Sequence, residues 1–279
     1  MSRSTPERRV TRVRVGEPRV SVRDALAGEE PLEIRVLGQS LAITMRTPGN
    51  DFDLAAGFLV SEGVISNSRQ LTAMRFCEGA GEDGVNRFNV LDLTLAPGVP
   101  APDPSVARAF FTTSSCGLCG KASIDAVRTR SSFDVREDPL RVSPELLVSL
   151  PHRLREAQEL FASTGGLHAA ALFDAASAEL LVLREDVGRH NAVDKVVGWA
   201  LRETRLPLRG TILLVSGRAS FELVQKAVMA GISMLCAVSA PSSLAADLAD
   251  ESGVTLVGFL RDPSFVIYSH PQRVTTTTT

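Results

Sequence analysis

The stretch Leu183-Arg-Glu-Asp-Val-Gly-Arg-His-Asn-Ala-Val-Asp-Lys195 decides the fold class. An apolar run ends in charged residues, turns at Gly188 and passes into a helical pattern in which Val193, Val196, Val197, Ala200 and Leu201 share one face. That is a strand feeding a helix. Upstream, Leu167–Phe173 and Leu180–Leu183 read as strands, and a helix ending near Phe161 closes at Ser163-Thr-Gly-Gly166. Downstream, Thr211–Val215, Ile232–Val238 and Val254–Phe259 read as strands, alternating with helices at Phe221–Met229 and Leu244–Ala249. The pattern predicts an α/β domain, a sheet covered by helices with its sites on the loops leaving the strand ends.

Towards the N-terminus the periods change. Residues 32–47 alternate around Ile34, Val36, Leu41, Ile43 and Met45 with Gly38-Gln39-Ser40 between the runs, which predicts a hairpin. From Asp51, the residues Phe52, Ala55, Ala56, Leu59 and Val60 recur at helical spacing after Pro48-Gly49-Asn50. Strand-like runs follow near 71–76 and 88–95, and then "APGVPAPDPS" at 96–105 breaks all periodicity. We place a boundary there: residues 1–105 form a smaller N-terminal β/α portion with a flexible start, 106–274 the main α/β core, and the threonine run 275–279 a disordered tail.

Composition narrows the function. With 279 residues, 44% hydrophobic and 22% charged, the chain has material for a full core. A net charge of −2 argues against bulk attraction to nucleic acid or a membrane surface, so an anionic ligand must be met by locally placed cations. No apolar run reaches the ~20 residues a membrane span needs, and "MSRSTPERRVTRVRV" lacks the apolar middle of a secretory signal. The expected location is the cytoplasm.

Four cysteines are too few for a disulfide scaffold. Two of them, Cys116 and Cys119, stand three residues apart in "TTSSCGLCGK" at 112–121. Zinc would require partners from Cys77, Cys236, His168 and His190, none of which forms a second close pair. A dithiol oxidoreductase prefers its thiol at a rigid helix start, whereas glycines at 117 and 120 suggest a mobile loop. Persulfide chemistry, in which a thiolate carries a sulfane sulfur to an acceptor, would use that mobility, and Lys121 would favour the thiolate. Buried packing is the remaining reading for this pair, and it is the expected one for Cys236 inside "ISMLCAV" and for Cys77.

Two glycine-bearing strand-helix turns carry cations. Arg189, His190 and Lys195 follow Gly188, and Arg218 follows Gly217 in "VSGRASFELVQK". Backbone N–H groups at such turns and the helix dipole favour phosphate; solvated turns capped by Asn191 and Ser220 are the plain alternative. His168 begins a strand of small apolar residues and is expected to be a hydrogen-bonded core group. The deaminase pattern H-x-E followed by P-C-x-x-C fails here, because Ala170 stands where the glutamate should be and the cysteines precede the histidine.

"TPGNDFDLAAGFLVSEGVI", "FFTTSSCGLCG", "TGGLHAAA", "EDVGRHNAVDK", "SGRASFE", "SAPSSLAADLA" and "LVGFLRDPSFVIYSHPQR" occur in this order from about Leu32 to Arg273. Together they resemble the formate dehydrogenase accessory sulfurtransferase family (FdhD). The resemblance implies a cytidine-deaminase-like core without that enzyme's zinc and glutamate, and hence no permanently bound metal. It implies a sulfurtransferase that takes sulfur from a cysteine desulfurase as a persulfide and passes it to the molybdenum bis-guanine-dinucleotide cofactor destined for formate dehydrogenase. It further implies a homodimer, a persulfide on Cys116 with Cys119 assisting, and a cofactor-contact segment at Phe259, Leu260, Arg261, Asp262, Pro263 and Ser264. Arg189, Lys195, Arg218 and Arg261 are then expected to pair with phosphate, with His190 beside them, while Asp186, Asn191 and Asp262 are candidate readers of guanine. A non-catalytic cofactor chaperone and a zinc-bound dithiol protein are the competing classes.

Overall fold

The computed structural model describes residues 3–77, 88–102 and 131–276. Two sheets dominate. The larger has six strands in the order β12-β11-β10-β9-β7-β8, built from β7 (His168–Asp174), β8 (Leu180–Asp186), β9 (Thr211–Val215), β10 (Met234–Ala237), β11 (Thr255–Arg261) and β12 (Ser264–Ser269). β9, β10 and β11 run parallel, β7 runs antiparallel to both β8 and β9, and β12 antiparallel to β11. The mixed α/β architecture expected from the strand-helix alternation is therefore present.

Strand side chains alternate between faces, and both faces of this sheet are covered. Ile212 and Leu214 of β9 join Ala171, Phe173, Met234 and Val257 against Leu147, Leu150 and Leu154 of α2 (Pro144–Ala157). Leu213 and Val215 face the other way, into a core shared with α4 (Arg189–Arg202), α5 (Phe221–Met229) and α6 (Ser243–Ser252). The helix expected to end near Phe161 is two helices, α2 and the short α3 (Glu159–Thr164), meeting at Gln158.

The smaller sheet has the order β4-β3-β6-β5, from β3 (Glu30–Val36), β4 (Gln39–Arg46), β5 (Leu71–Phe76) and β6 (Val90–Leu95). Its apolar face, Leu32, Ile34, Val36, Leu91 and Leu93, belongs to the same hydrophobic cluster as α4 and the large sheet, joined through α1 (Asp51–Ser61). The boundary expected near residue 105 lies outside the described residues. An antiparallel ribbon, β1 (Glu7–Arg12) with β2 (Val20–Ala25), forms a separate two-stranded sheet that leaves Val13 and Val15 of its connecting segment and Val20 of β2 exposed.

Acidic residues in the first turn of α1 suit the positive end of a helix dipole, and here they also anchor it. Asp51 takes both ends of the guanidinium of Arg46, which is fully buried (Nε 3.0 Å, Nη2 3.2 Å). Asp53 accepts from Arg184 at 2.8 Å and 3.1 Å and from Arg202 at 2.5 Å. These pairs fix the small sheet, α1 and α4 to one another before any functional side chain is placed.

Candidate functional site

Strand direction brings the expected site segments to one end of the large sheet. β8 ends at Asp186 beside His168, the first residue of β7. β9 ends at Val215 beside Ala170 and Ala237. β11 ends at Arg261 beside Ser264, where β12 begins. The turns after Asp186 and Val215, the β11–β12 connection and the start of β7 therefore share the same end of the large sheet, where ligands of parallel α/β sheets usually sit.

The first turn is held by a buried polar frame. Asp186, fully buried, accepts from Thr47 N (3.1 Å), Gly188 N (2.8 Å) and Asn191 Nδ2 (3.0 Å), and stands 2.7 Å from Lys195 Nζ. Lys195 also donates to the carbonyls of Thr47 (2.9 Å) and Glu185 (3.2 Å). Asn191 donates to Met45 O at 2.8 Å, so the end of β4 clamps the turn from outside. Three residues expected at the cargo are taken up in this frame. Lys195 is 1% exposed and its ammonium is taken by Asp186, so it serves the fold as a structural cation. The side chains of Asp186 and Asn191 are likewise buried and occupied by the frame.

The second turn is tied to the first through His190. Its Nε2 lies 3.2 Å from Ser220 Oγ and 3.8 Å from Glu222 Oε2. His190 is the main reason the Glu222 carboxyl is held down at about 2, against the opposing effect of its partial burial. Ser220 is the N-cap residue of α5, but its hydroxyl makes no cap bond, and Asn191 is a turn clamp inside α4 instead of a cap. Behind this pair, Lys226 meets Asp194 at 2.8 Å and 2.9 Å, and Ser61 Oγ donates to Asp194 at 2.6 Å.

Arg189, Arg218 and Arg261 differ from Lys195. None of the three side chains has a hydrogen bond or ion pair among the described residues, and Arg218 and Arg261 are exposed. Nε of Arg189 is buried without a partner. His168, expected as a hydrogen-bonded core group, is half-buried and makes no side-chain hydrogen bond among the described residues. Its imidazole is held below its usual range, first by burial and then by the charges of Arg189 and His190, with Asp186 opposing.

The β11–β12 segment divides. The side chain of Leu260, a residue expected in the cofactor-contact segment, is fully buried in the α2-side core. Arg261, Asp262, Pro263 and Ser264 are exposed, and Phe259 is 40% exposed at a positive φ of 51°. Phe259 N–H donates to Ser239 O at 3.1 Å, so the loop after β10 holds this segment. Gly258 is squeezed between neighbours: a Cβ there would fall 2.8 Å from Pro241 Cδ and 2.9 Å from Tyr268 Cε2. Sequence reasoning did not single out Ser239, Pro241 or Tyr268. The one available signal was the small, polar "SAPSS" directly after a buried strand.

Cys116, Cys119 and Lys121 lie outside the described residues. Cys236 is fully buried in the core, as expected, and burial pushes its thiol far up; Cys77 is partly buried. Among the described residues no group of three His, Cys, Asp or Glu side chains is placed to hold a metal ion, and no helix is long and apolar enough to cross a membrane.

The FdhD/NarQ family profile matches residues 27–275, which spans both sheets and every segment just described. The chain belongs to the FdhD/NarQ family. A protein named sulfur carrier protein FdhD from Mycolicibacterium paratuberculosis is 59% identical over 270 residues, covering 97% of this chain and 98% of its own. Another of that name, from Streptomyces avermitilis, is 61% identical over 276 residues, covering 98% and 97%. The crystal structure of a proposed formate dehydrogenase accessory protein from Desulfotalea psychrophila superimposes with a TM-score of 0.74 over 97% of this chain and 99% of that one, at 22% identity. The FdhD/NarQ fold is thus shared even where four residues in five differ.

Proposed function

We propose that the protein is a sulfur carrier that accepts sulfur from a cysteine desulfurase as a persulfide on Cys116 and transfers it to the molybdenum bis-guanine-dinucleotide cofactor of formate dehydrogenase. The observation that carries this reading is that Arg189, Arg218 and Arg261, whose side chains are unpaired among the described residues, all lie at the same end of the large sheet, in a chain similar over nearly its whole length to proteins named sulfur carriers. A cargo with two pyrophosphates and two guanines needs such cations, and arginine offers paired donors to phosphate oxygens. Phe259, exposed at the same end of the sheet, offers an aromatic face to a base.

Loading is redox-neutral. The Cys116 thiolate attacks the outer sulfur of the donor's persulfide, the donor's S–S bond breaks, a new S–S bond forms on Cys116, and the donor cysteine leaves as a thiolate. Cys119 assists as a neighbouring thiol. The protein works as a homodimer in the cytoplasm, with the desulfurase and the dehydrogenase catalytic subunit as its successive partners.

Incubation with a cysteine desulfurase and cysteine, followed by peptide mass spectrometry, tests the reading. One added sulfur atom on the 112–121 peptide, absent in Cys116→Ala, is the expected result. A Cys116→Ala protein that still activates formate dehydrogenase to the wild-type level would leave a non-catalytic cofactor chaperone in its place.

A further inference from the structure

β7 lies between β8 and β9 in the sheet, so His168 at its start comes up between the Gly188 and Gly217 turns. The ring packs on Gly217, where a Cβ would stand 3.4 Å from His168 Nδ1. The helices beginning at these two turns both lack a side-chain cap: α4 starts after Gly188, and the Ser220 hydroxyl at the start of α5 is turned to His190. By contrast, Ser143 and Ser242 cap α2 and α6, accepting from Leu146 N and Ala245 N at 3.2 Å each. The free donors are concentrated at one place. They comprise two helix N-termini, the buried and unpartnered Nε of Arg189, and a half-buried imidazole that bonds to nothing described.

Charge in the gap is positive. The charges of Arg189 and His190 of α4 act on His168, as does Asp186, its cross-strand neighbour at the end of β8, which is already paired with Lys195. Arg218 stands on the turn into α5, where Glu222 faces His190. We propose that this gap is the seat of a pyrophosphate, and that His168 takes up one proton as the pyrophosphate docks and becomes a cationic contact to it. The proposal rests on the sulfur-carrier reading only in taking a guanine-nucleotide cargo. No covalent bond changes; the proton comes from solvent.

The sign follows from linkage. In the free protein, burial first and then the charge of Arg189 disfavour the protonated form of His168. A bound anion favours its protonated form, so affinity rises as pH falls through the imidazole's value in the complex and levels off below its value in the free protein.

Calorimetric titration of the full chain with diguanosine diphosphate tests this, because the two phosphodiester-like groups of that probe do not titrate near neutrality. Wild type is expected to bind more tightly at lower pH, by at most about tenfold per pH unit, the limit for one linked proton. Binding heats in buffers of different ionisation enthalpy should show proton uptake. His168→Gln, with His168→Asn as a second variant and circular dichroism confirming the fold, should lose both the slope and the uptake, whereas His152→Gln, exposed on α2, should keep them. An unchanged slope in the folded His168 variants, or no binding by wild type at any pH, overturns the proposal. Persulfide loading alongside an unaffected slope removes the seat and leaves the sulfur carrier; a His168-dependent slope without persulfide loading does the reverse.

Discussion

Gly57 of α1 and Gly198 of α4 lie against each other's backbones. A Cβ on Gly57 would fall 1.8 Å from the Asp194 carbonyl oxygen, and one on Gly198 would fall 1.8 Å from the Asp53 carbonyl oxygen. The two helices therefore touch without side chains between them, and α1 seals the outer side of the helix whose N-terminus carries Arg189 and His190.

Gly198→Ala should force the helices apart. A destabilisation of about 1–3 kcal/mol or more is expected, as for overpacked cores, read as a lower urea midpoint at an unchanged slope. A midpoint equal to wild type would show that the contact is looser than described.

Lys195→Met removes the partner of a fully buried carboxylate, and a loss of about 3–5 kcal/mol follows for breaking a buried pair on one side. Arg261→Ala, at an exposed and unpaired position, should stay within about 0.5 kcal/mol of wild type. Equal urea midpoints for the two variants would remove the assignment of Lys195 as a structural cation.

The same Arg261→Ala protein should bind guanine nucleotide more weakly, by about 1.5–3 kcal/mol if one charged phosphate contact is lost. Calorimetry giving the wild-type affinity takes Arg261 out of the cargo site.

Glu222 gives a pH prediction of defined sign. Its carboxyl is lowered from 4.5 to about 2, so its pairing stabilises the fold fully above the unfolded value and is lost as pH falls from about 4.5 through about 2. The pair is half-exposed and 3.8 Å apart, so its worth is about 0.2–1 kcal/mol at most. Carbon-detected NMR titration should find the Glu222 carboxyl returning towards 4.5 in His190→Ala. A carboxyl that stays near 2 in that variant would assign the shift to the backbone and Ser220 instead.

Cys119→Ala should still load sulfur on Cys116, because one covalent carrier suffices, with the second thiol acting only in activation or release. Complete loss of the mass shift in that variant would make both thiols essential to loading.

Much of the architecture was legible because its strands are buried. Thr211–Val215 and Phe221–Met229 are found where the apolar pattern puts them. β1 and β2 were not legible, since a ribbon wet on both sides has no inside to alternate with, and its arginines hide it further. β12 was missed for the opposite reason: Phe265, Val266, Ile267 and Tyr268 are all apolar, so the inward pair cannot be told from the outward one. Lys195 misled because the outer side of a sheet-covering helix is normally in water. Here α1 lies over it, and residues 191–198 are buried all round, a third layer that a strand-helix pattern cannot announce.

Among the described residues the β1–β2 ribbon has no third strand on either edge and leaves its valines exposed, a shape that invites another strand. Pairing of one such ribbon with another is opposed by the charge of Arg8, Arg9, Arg12, Arg14, Arg19 and Arg23, set against only Glu7, Glu17 and Asp24 in the same stretch. That repulsion reaches about 8 Å at physiological ionic strength and about 3 Å at 1 M salt. Concentrated salt, which usually steadies a folded domain in storage, is thus the condition under which this ribbon loses its guard against strand-to-strand association.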